Sequence, residues 1–167
     1  MRAGVLMSAI FLAAFSVFAE EETVFHKQVR EAMPQVTQFR QKGNAAWEMK
    51  DKAGVTLGML YLETIPDSER KQGFRGTIEV ALTVNTKDEI TGVLIGRNRE
   101  TPVYMKRVQA EGFLKKWNGM ALKKAAETDV DTVTGATYSS SAIAFSVKKL
   151  ASSLLGEKQA KPAAGSK

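Results

Sequence analysis

An alternating stretch in the middle of the chain, followed by a turn, is the feature that most restricts the fold. Apolar residues take every second position from Thr77 to Val84, which predicts a half-buried strand. Its buried face would carry Ile78, Val80, Leu82 and Val84. Polar residues 85–89 form a turn, and residues 90–95 return as a second strand that we expect to be more fully buried. Two strands joined by so short a turn pair in antiparallel fashion, so the pattern predicts an antiparallel sheet.

Patterns on both sides of this hairpin predict further strands and several helices. The predicted elements are a helix from Phe25 that Pro34 ends or kinks, strands over 47–49 and 55–62, a short helix over 113–117 that ends at Asn118-Gly119, and a last helix that begins near Ala142. His26, on the first helix, is expected at the surface. The fold class is therefore α+β, with a mostly antiparallel sheet and flanking helices.

Composition excludes several kinds of chemistry. The 167 residues include no cysteine and one histidine. A cysteine nucleophile, a disulfide, an iron–sulfur cluster and a cysteine-based zinc site are therefore excluded. A single histidine also argues against a histidine-rich metal site and against a Ser-His-Asp triad. We accordingly predict neither a metal site nor catalytic side chains.

The first residues have the pattern of an export signal. Arg2 precedes an apolar run, and Val17 and Ala19 are small residues at the positions that signal peptidase reads. We predict a signal peptide over residues 1–19 that is cleaved after Ala19, which would place the protein in the periplasm or another extracytoplasmic space. A retained anchor in the inner membrane is the alternative, because about 17 apolar residues can just span a bilayer.

The formal net charge of +6 does not indicate a polyanionic partner. Residues 156–167 are polar and small, which predicts a disordered tail and leaves a domain over residues 20–155. One positive charge belongs to Arg2 and a net two belong to the tail, so this domain keeps 20 basic residues against 17 acidic ones. Its charges are scattered along predicted helix faces, and we expect no binding to nucleic acid.

The segment before the last predicted helix has the residues of an anion-binding site. It reads DTVTGATYSSS, beginning at Asp131. Unpaired N–H groups and the helix dipole favour an anion at a helix N-terminus, and Gly135 allows a sharp turn or the close approach of a ligand. Hydroxyl groups are offered by Thr134, Thr137 and Ser139. From the residues alone, a capped helix preceded by an ordinary turn is the simpler explanation.

The same segment resembles the flavinylation motif of the FMN-binding domain family. That family includes the C subunit of the Na+-translocating NADH:quinone reductase and the G subunit of the Rnf electron-transport complex. The matching residues are Asp131, Thr134, Gly135, Ala136, Thr137 and Ser139. Upstream, Gly73-Phe74-Arg75-Gly76 resembles the family's GYxG segment, and Glu100-Thr101-Pro102 resembles its ETPG motif, with Val103 in place of the glycine. The similarity extends in order over residues 24–155.

The resemblance implies that the cofactor is FMN, joined to the chain by a phosphoester bond to Thr137. It also implies contacts to the phosphate from Thr134, Gly135, Ala136 and Ser139. Asp131 would order the loop or help a flavin transferase to recognise it, unless it is an ordinary exposed acid.

The resemblance further suggests groups that surround the flavin ring. Glu100 and Thr101 would hydrogen-bond the isoalloxazine edge, or they belong to a loop held by Pro102. Three aromatic residues are candidates to stack on the ring: Tyr104, Phe113 and Trp117. The alternative is that they belong to the hydrophobic core. Arg97 and Arg99 would stabilise a reduced, anionic flavin or are solvated at the end of a strand.

The function implied by the resemblance is electron transfer by an extracytoplasmic flavoprotein rather than catalysis by a stand-alone enzyme. The expected partners are a flavin transferase for maturation and a redox donor and acceptor, such as a cytochrome or a membrane reductase. Two alternatives remain open. One is a membrane-anchored subunit of an Rnf-like or NADH:quinone reductase-like ion-translocating complex, and the other is a non-redox binding module.

Overall fold

Five strands form one antiparallel sheet in which each strand pairs with the next along the chain. The structure, a computed structural model, describes residues 22–160, so the predicted signal peptide lies outside the described residues. The strands are β1 (Gln38–Gly43), β2 (Ala46–Lys50), β3 (Thr56–Leu62), β4 (Ile78–Asn85) and β5 (Ile90–Asn98). The predicted α+β class and antiparallel sheet are confirmed.

Helices cover both faces of this sheet. They are α1 (Val24–Ala32), α2 (Pro102–Ala110), α3 (Leu122–Glu127) and α4 (Thr137–Ala160), with short 3-10 helices at Asp67–Glu69 and Phe113–Trp117. A smaller core beneath α1 consists of Phe25, Val29, Val36, Trp47, Met49, Leu60 and Ala81. A larger core joins β4 and β5 to the other three helices, and α4 contributes Ile143, Val147, Leu150 and Leu154 to it. The fold therefore has three layers, with the sheet in the middle.

The burial of the central hairpin differs from the prediction. Ile78, Val80, Leu82 and Val84 face the larger core as expected, but Ala81 and Thr83 on the opposite face are buried too. The expectation of a half-buried β4 is wrong because the layer beneath α1 covers its second face. The expectation of a more fully buried β5 is also wrong, because β5 lies at the edge of the sheet.

Some elements and both ends of the last helix also differ from the prediction. β1 and α2 were not predicted, and β1 is an exposed edge strand whose one partly buried residue is Phe39. The last helix begins at Thr137, earlier than the expected Ala142. It continues past Gly156 to Ala160, so it includes the first residues of the expected tail, where Glu157, Lys158 and Gln159 are good helix formers.

His26 is buried, which corrects the expectation that it lies at the surface. Its side chain is 3% exposed and packs on Phe39 and Trp47, with ring centroids 4.3 and 5.2 Å away. Its Nδ1 accepts a hydrogen bond from the backbone N–H of Thr23 at 3.1 Å and so caps α1. His26 is therefore a structural residue.

Within residues 22–160 no helix is both long enough and apolar enough to cross a membrane.

Candidate functional site

Thr137 is the first residue of α4, and its side chain is exposed. The turn before it is fixed by Ser140, whose Oγ accepts a hydrogen bond from the Val133 N–H at 3.0 Å and donates one to the Ala136 carbonyl at 2.9 Å. Val133 and Ala136 are themselves buried in the larger core. The Thr137 hydroxyl therefore projects into solvent from a rigid support at a helix N-terminus, where backbone N–H groups favour an anion.

Arg107, on α2, lies against the turn that precedes Thr137. Gly135 has a positive φ of 75°, and a Cβ built on it would lie 1.9 Å from the Arg107 Nη1. Only glycine lets the guanidinium come this close to the backbone. Arg107 has no salt-bridge partner among residues 22–160. A positive charge without a salt-bridge partner in the described part of the chain is thus held against Gly135, two residues before Thr137.

Three aromatic side chains line a pocket next to Thr137. Phe74, Tyr104 and Tyr138 surround a volume of about 250 Å³ whose other lining residues are 135–137 and Ser139. The Phe74 ring packs edge-on against Tyr104 at a centroid distance of 5.2 Å and lies 6.4 Å from Tyr138. Phe74 and Tyr138 are 53% and 67% exposed. Large aromatic side chains left this open beside a pocket indicate a surface for a planar ligand.

Glu100 connects the pocket to the start of α4. Its Oε1 accepts a hydrogen bond from the Arg75 N–H at 2.6 Å, and its Oε2 accepts one from the Phe74 N–H at 3.1 Å. The hydroxyl of Ser139 donates to the same Oε2. Glu100 is buried, so these three donors satisfy a carboxylate that would otherwise be costly to bury. In this structure the Glu100 carboxylate therefore holds the Phe74–Arg75 segment, which forms part of the pocket wall, against the first turn of α4.

The structure brings together most of the residues predicted to bind the cofactor. Gly135, Ala136, Thr137 and Ser139 all line the aromatic pocket, and Thr134 lies in the turn at its rim. Two predicted residues lie elsewhere. Asp131 is exposed on the loop, where its backbone carbonyl accepts a hydrogen bond from the Lys116 Nζ at 2.9 Å. Thr101 is the N-cap residue of α2, with no hydrogen bond from its side chain to the helix.

Of the aromatic residues suggested for stacking, only Tyr104 lies at the pocket. Phe113 and Trp117 are 0% and 1% exposed and pack edge to face against each other in the larger core. Arg97 forms a salt bridge with Glu79 at 2.9 Å, and Arg99 is exposed at the end of β5. Neither arginine lines the aromatic pocket. Within residues 22–160 no group of three or more His, Asp or Glu residues is arranged to hold a metal ion.

Sequence reasoning missed Arg107 and Tyr138, and it assigned no role to the side chain of Phe74. Tyr138 adjoins the motif threonine, and Phe74 lies in the glycine-bounded segment, so position alone could have suggested both. No comparable signal marks Arg107, because its proximity to Gly135 depends on how α2 packs against a loop that is distant in sequence.

The fold is an α+β domain in which an aromatic pocket lies next to a helix N-terminus. Comparison with known families gives the class of the domain. Residues 73–152 match the family described as FMN-binding domain, and this part of the chain belongs to that family. No match to a curated protein was found.

Proposed function

We propose that this FMN-binding protein carries its FMN covalently on the hydroxyl of Thr137 and transfers electrons between redox partners outside the cytoplasm. The observation that supports the attachment site is the position of Thr137. Thr137 is exposed at the start of α4 and lines the aromatic pocket, and the guanidinium of Arg107 lies against Gly135 in the turn before it.

The phosphate end of FMN fits the groups around Thr137. A phosphodiester to the Thr137 Oγ carries one negative charge, and both the N-terminus of α4 and Arg107 favour a negative charge there. Gly135 leaves room for the guanidinium of Arg107. Ala136 lines the pocket with a small side chain, which leaves space for the ligand. Arg107 and the turn would bind and orient the phosphate through non-covalent interactions, and only Thr137 would be joined to it covalently.

The ring end of FMN fits the aromatic pocket. Bound FMN would supply the redox chemistry. Phe74, Tyr104 and Tyr138 supply faces and edges for stacking. Glu100 fixes the segment that carries Phe74, so the protein holds the ring surface and the tether in one relative position.

Attachment through phosphate requires an activated flavin. The bond that forms joins the Thr137 Oγ to the phosphorus of FMN, and the hydroxyl proton is lost. Direct condensation of FMN with an alcohol is unfavourable in water, so the reaction calls for a flavin dinucleotide whose phosphoanhydride bond breaks and releases a nucleotide monophosphate. We therefore propose a flavin transferase as the maturation partner.

The test is co-expression of the exported protein with a flavin transferase, followed by denaturing electrophoresis and intact-mass measurement. Wild type is expected to show flavin fluorescence and a mass increase equal to FMN less one water. Thr137→Ala should lose both, and Thr137→Ser should retain them. The matched control is Thr132→Ala, which removes another exposed hydroxyl of the same loop. Unmodified wild type, or retention of FMN by Thr137→Ala, would refute the assignment.

The location and the redox role are separate parts of the proposal. Export is supported by the signal-like sequence of residues 1–19, and a chain that begins at Glu20 in the periplasmic fraction is the expected result. An intact N-terminus in the membrane fraction would instead favour the anchored subunit of a redox complex. Reversible bleaching of the flavin absorbance by a chemical reductant and a protein oxidant tests the redox role, and its failure would favour a non-redox module.

A further inference from the structure

A depression lined by arginines lies beside the aromatic pocket. It lies between the β3–β4 connection and the end of β5 and has a volume of about 790 Å³. Its four basic residues, which we call the arginine cluster, are Arg70, Arg75, Arg97 and Arg99. The only acidic residues in its lining are Asp67 and Glu79. The depression is therefore net positive, although the charges of the domain as a whole nearly balance.

Two members of the arginine cluster are uncompensated. Arg70 lies 3.4 Å from Asp67 and 3.9 Å from the buried Glu63, and Arg97 lies 2.9 Å from Glu79. Arg75 and Arg99 have exposed side chains and no salt-bridge partner within residues 22–160. The positive potential at this surface is thus available to an outside partner.

The depression and the aromatic pocket share one support. Phe74 lines the pocket, and its neighbour Arg75 lines the depression. Both of their backbone N–H groups donate to Glu100, which also binds Ser139 in the first turn of α4. A protein seated on the arginine cluster would therefore lie next to the exposed ring of Phe74 and close to the pocket.

We propose that the arginine cluster is the docking surface for an acidic patch of the redox partner. The inference rests on the proposed function only for the electron transfer, since docking itself requires no flavin. An open, solvated surface of this kind gives fast and salt-sensitive encounters rather than tight binding. The Arg97 side chain is 89% exposed, which fits a protein surface better than an enclosed site for a small anion.

The kinetic test uses an acidic plant-type ferredoxin as the reductant of the flavinylated protein. Each ferredoxin cluster gives up one electron, so two ferredoxins reduce one flavin, and the protons come from water. The Arg75→Glu/Arg99→Glu variant should slow reduction about tenfold at low ionic strength. The difference should disappear in about 1 M salt, where the Debye length is about 3 Å.

A matched control separates local from overall charge. Lys52 and Lys87 are exposed in the β2–β3 and β4–β5 turns, at the end of the sheet opposite to the β3–β4 connection. Lys52→Glu/Lys87→Glu changes the net charge by the same amount and should alter the rate less than twofold. Equal slowing by both variants, or no slowing by the arginine variant, would overturn the proposal. Unchanged circular dichroism is required of each variant.

A binding readout without flavin keeps this proposal separate from the proposed function. Amide NMR spectra of Thr137→Ala are recorded with redox-inert, gallium-substituted ferredoxin at low salt. Saturable shifts that cluster at Arg75 and Arg99 support docking even if no flavin is attached to wild type. Shifts elsewhere, no saturable shifts, or saturation of the same signals by millimolar inorganic phosphate would overturn the proposal.

Discussion

The guanidinium of Arg107 occupies the space that a side chain at Gly135 would need. A Cβ at residue 135 would lie 1.9 Å from Nη1 and 3.2 Å from Cζ. The positive φ of Gly135 sets a second and independent requirement for glycine. The turn before Thr137 is therefore shaped by its own backbone conformation and by a charge from another helix.

Gly135→Ala should harm both the fold and the site. The positive φ costs about 1 kcal/mol or more for alanine, and the new methyl group would displace Arg107. We expect lower stability in urea and a smaller fraction of FMN-modified chain by mass. Gly156→Ala is the control, since Gly156 lies inside α4 with open space around it. That change should raise stability by about 0.5–1 kcal/mol, and a similar gain at residue 135 would contradict the account.

Arg107→Gln should reduce FMN attachment without preventing folding. A charge-assisted hydrogen bond is worth about 1.5–3 kcal/mol, so attachment under limiting transferase should slow by about tenfold or more. Arg107→Lys should restore part of the rate. Lys106→Gln removes a neighbouring exposed charge on α2 and is expected to be silent. If the Lys106 and Arg107 variants behave alike, the guanidinium has no specific role.

Glu100→Gln should loosen the connection between the pocket and α4. Two N–H donors and the Ser139 hydroxyl all donate to the carboxylate, and a glutamine side chain offers only one acceptor oxygen. We expect a loss of about 1–3 kcal/mol in the free energy of unfolding and faster amide exchange at Phe74 and Arg75. Glu111→Gln, at an exposed residue, is the control. Unchanged exchange at both amides would show that the contact is dispensable.

Glu63 gives the fold a dependence on pH. Its side chain is 1% exposed. Burial raises the pKa of Glu63 above its usual value, and Ser146 and Arg70 offset this only in part. A raised pKa in the folded state means that the contribution of Glu63 to stability is fully present below the unfolded pKa of 4.5 and is lost as pH rises through the folded value.

Glu63→Gln should therefore stabilise the protein at neutral pH and have less effect near pH 4. The gain should be largest where the buried carboxylate is charged and should shrink as pH falls toward the unfolded pKa, because protonation removes the buried charge that the substitution eliminates. Urea unfolding at several pH values measures it. Glu69→Gln, at an exposed glutamate of the same connection, serves as the control. A gain that does not vary with pH would mean that burial of the charge is not the cause.

Elements of the fold that are marked by a local sequence signal were predictable, and those that depend on distant contacts were not. The β4–β5 hairpin was predictable because the alternation from Ile78 to Val84 marks the residues of one strand that face the larger core, whereas burial of the opposite face depends on the layer beneath α1. β1 was missed because an edge strand with little buried surface has no such period. The start of α4 was missed because Thr137 and the serines after it are poor helix formers, and tertiary packing determines their conformation.

The candidate site shows the same limit. The motif around Thr137 could be identified from sequence because its residues are consecutive. Arg107 could not be, because its contact with Gly135 exists only once α2 packs against the loop. Phe113 and Trp117 have the aromatic character expected of a ring-binding site, but residue type does not distinguish a buried aromatic from one that lines a pocket.

The three hydrogen bonds at Glu100 also make the site dependent on complete folding. They join residues 25, 26 and 39 positions apart in the chain, and the last partner, Ser139, is among the later parts to be synthesised. The link between the Phe74 wall of the pocket and α4 therefore forms only after all three parts of the chain have been synthesised and folded together. A maturation enzyme that recognises the assembled surface would modify finished molecules selectively, so that the attached cofactor would mark chains that have folded correctly.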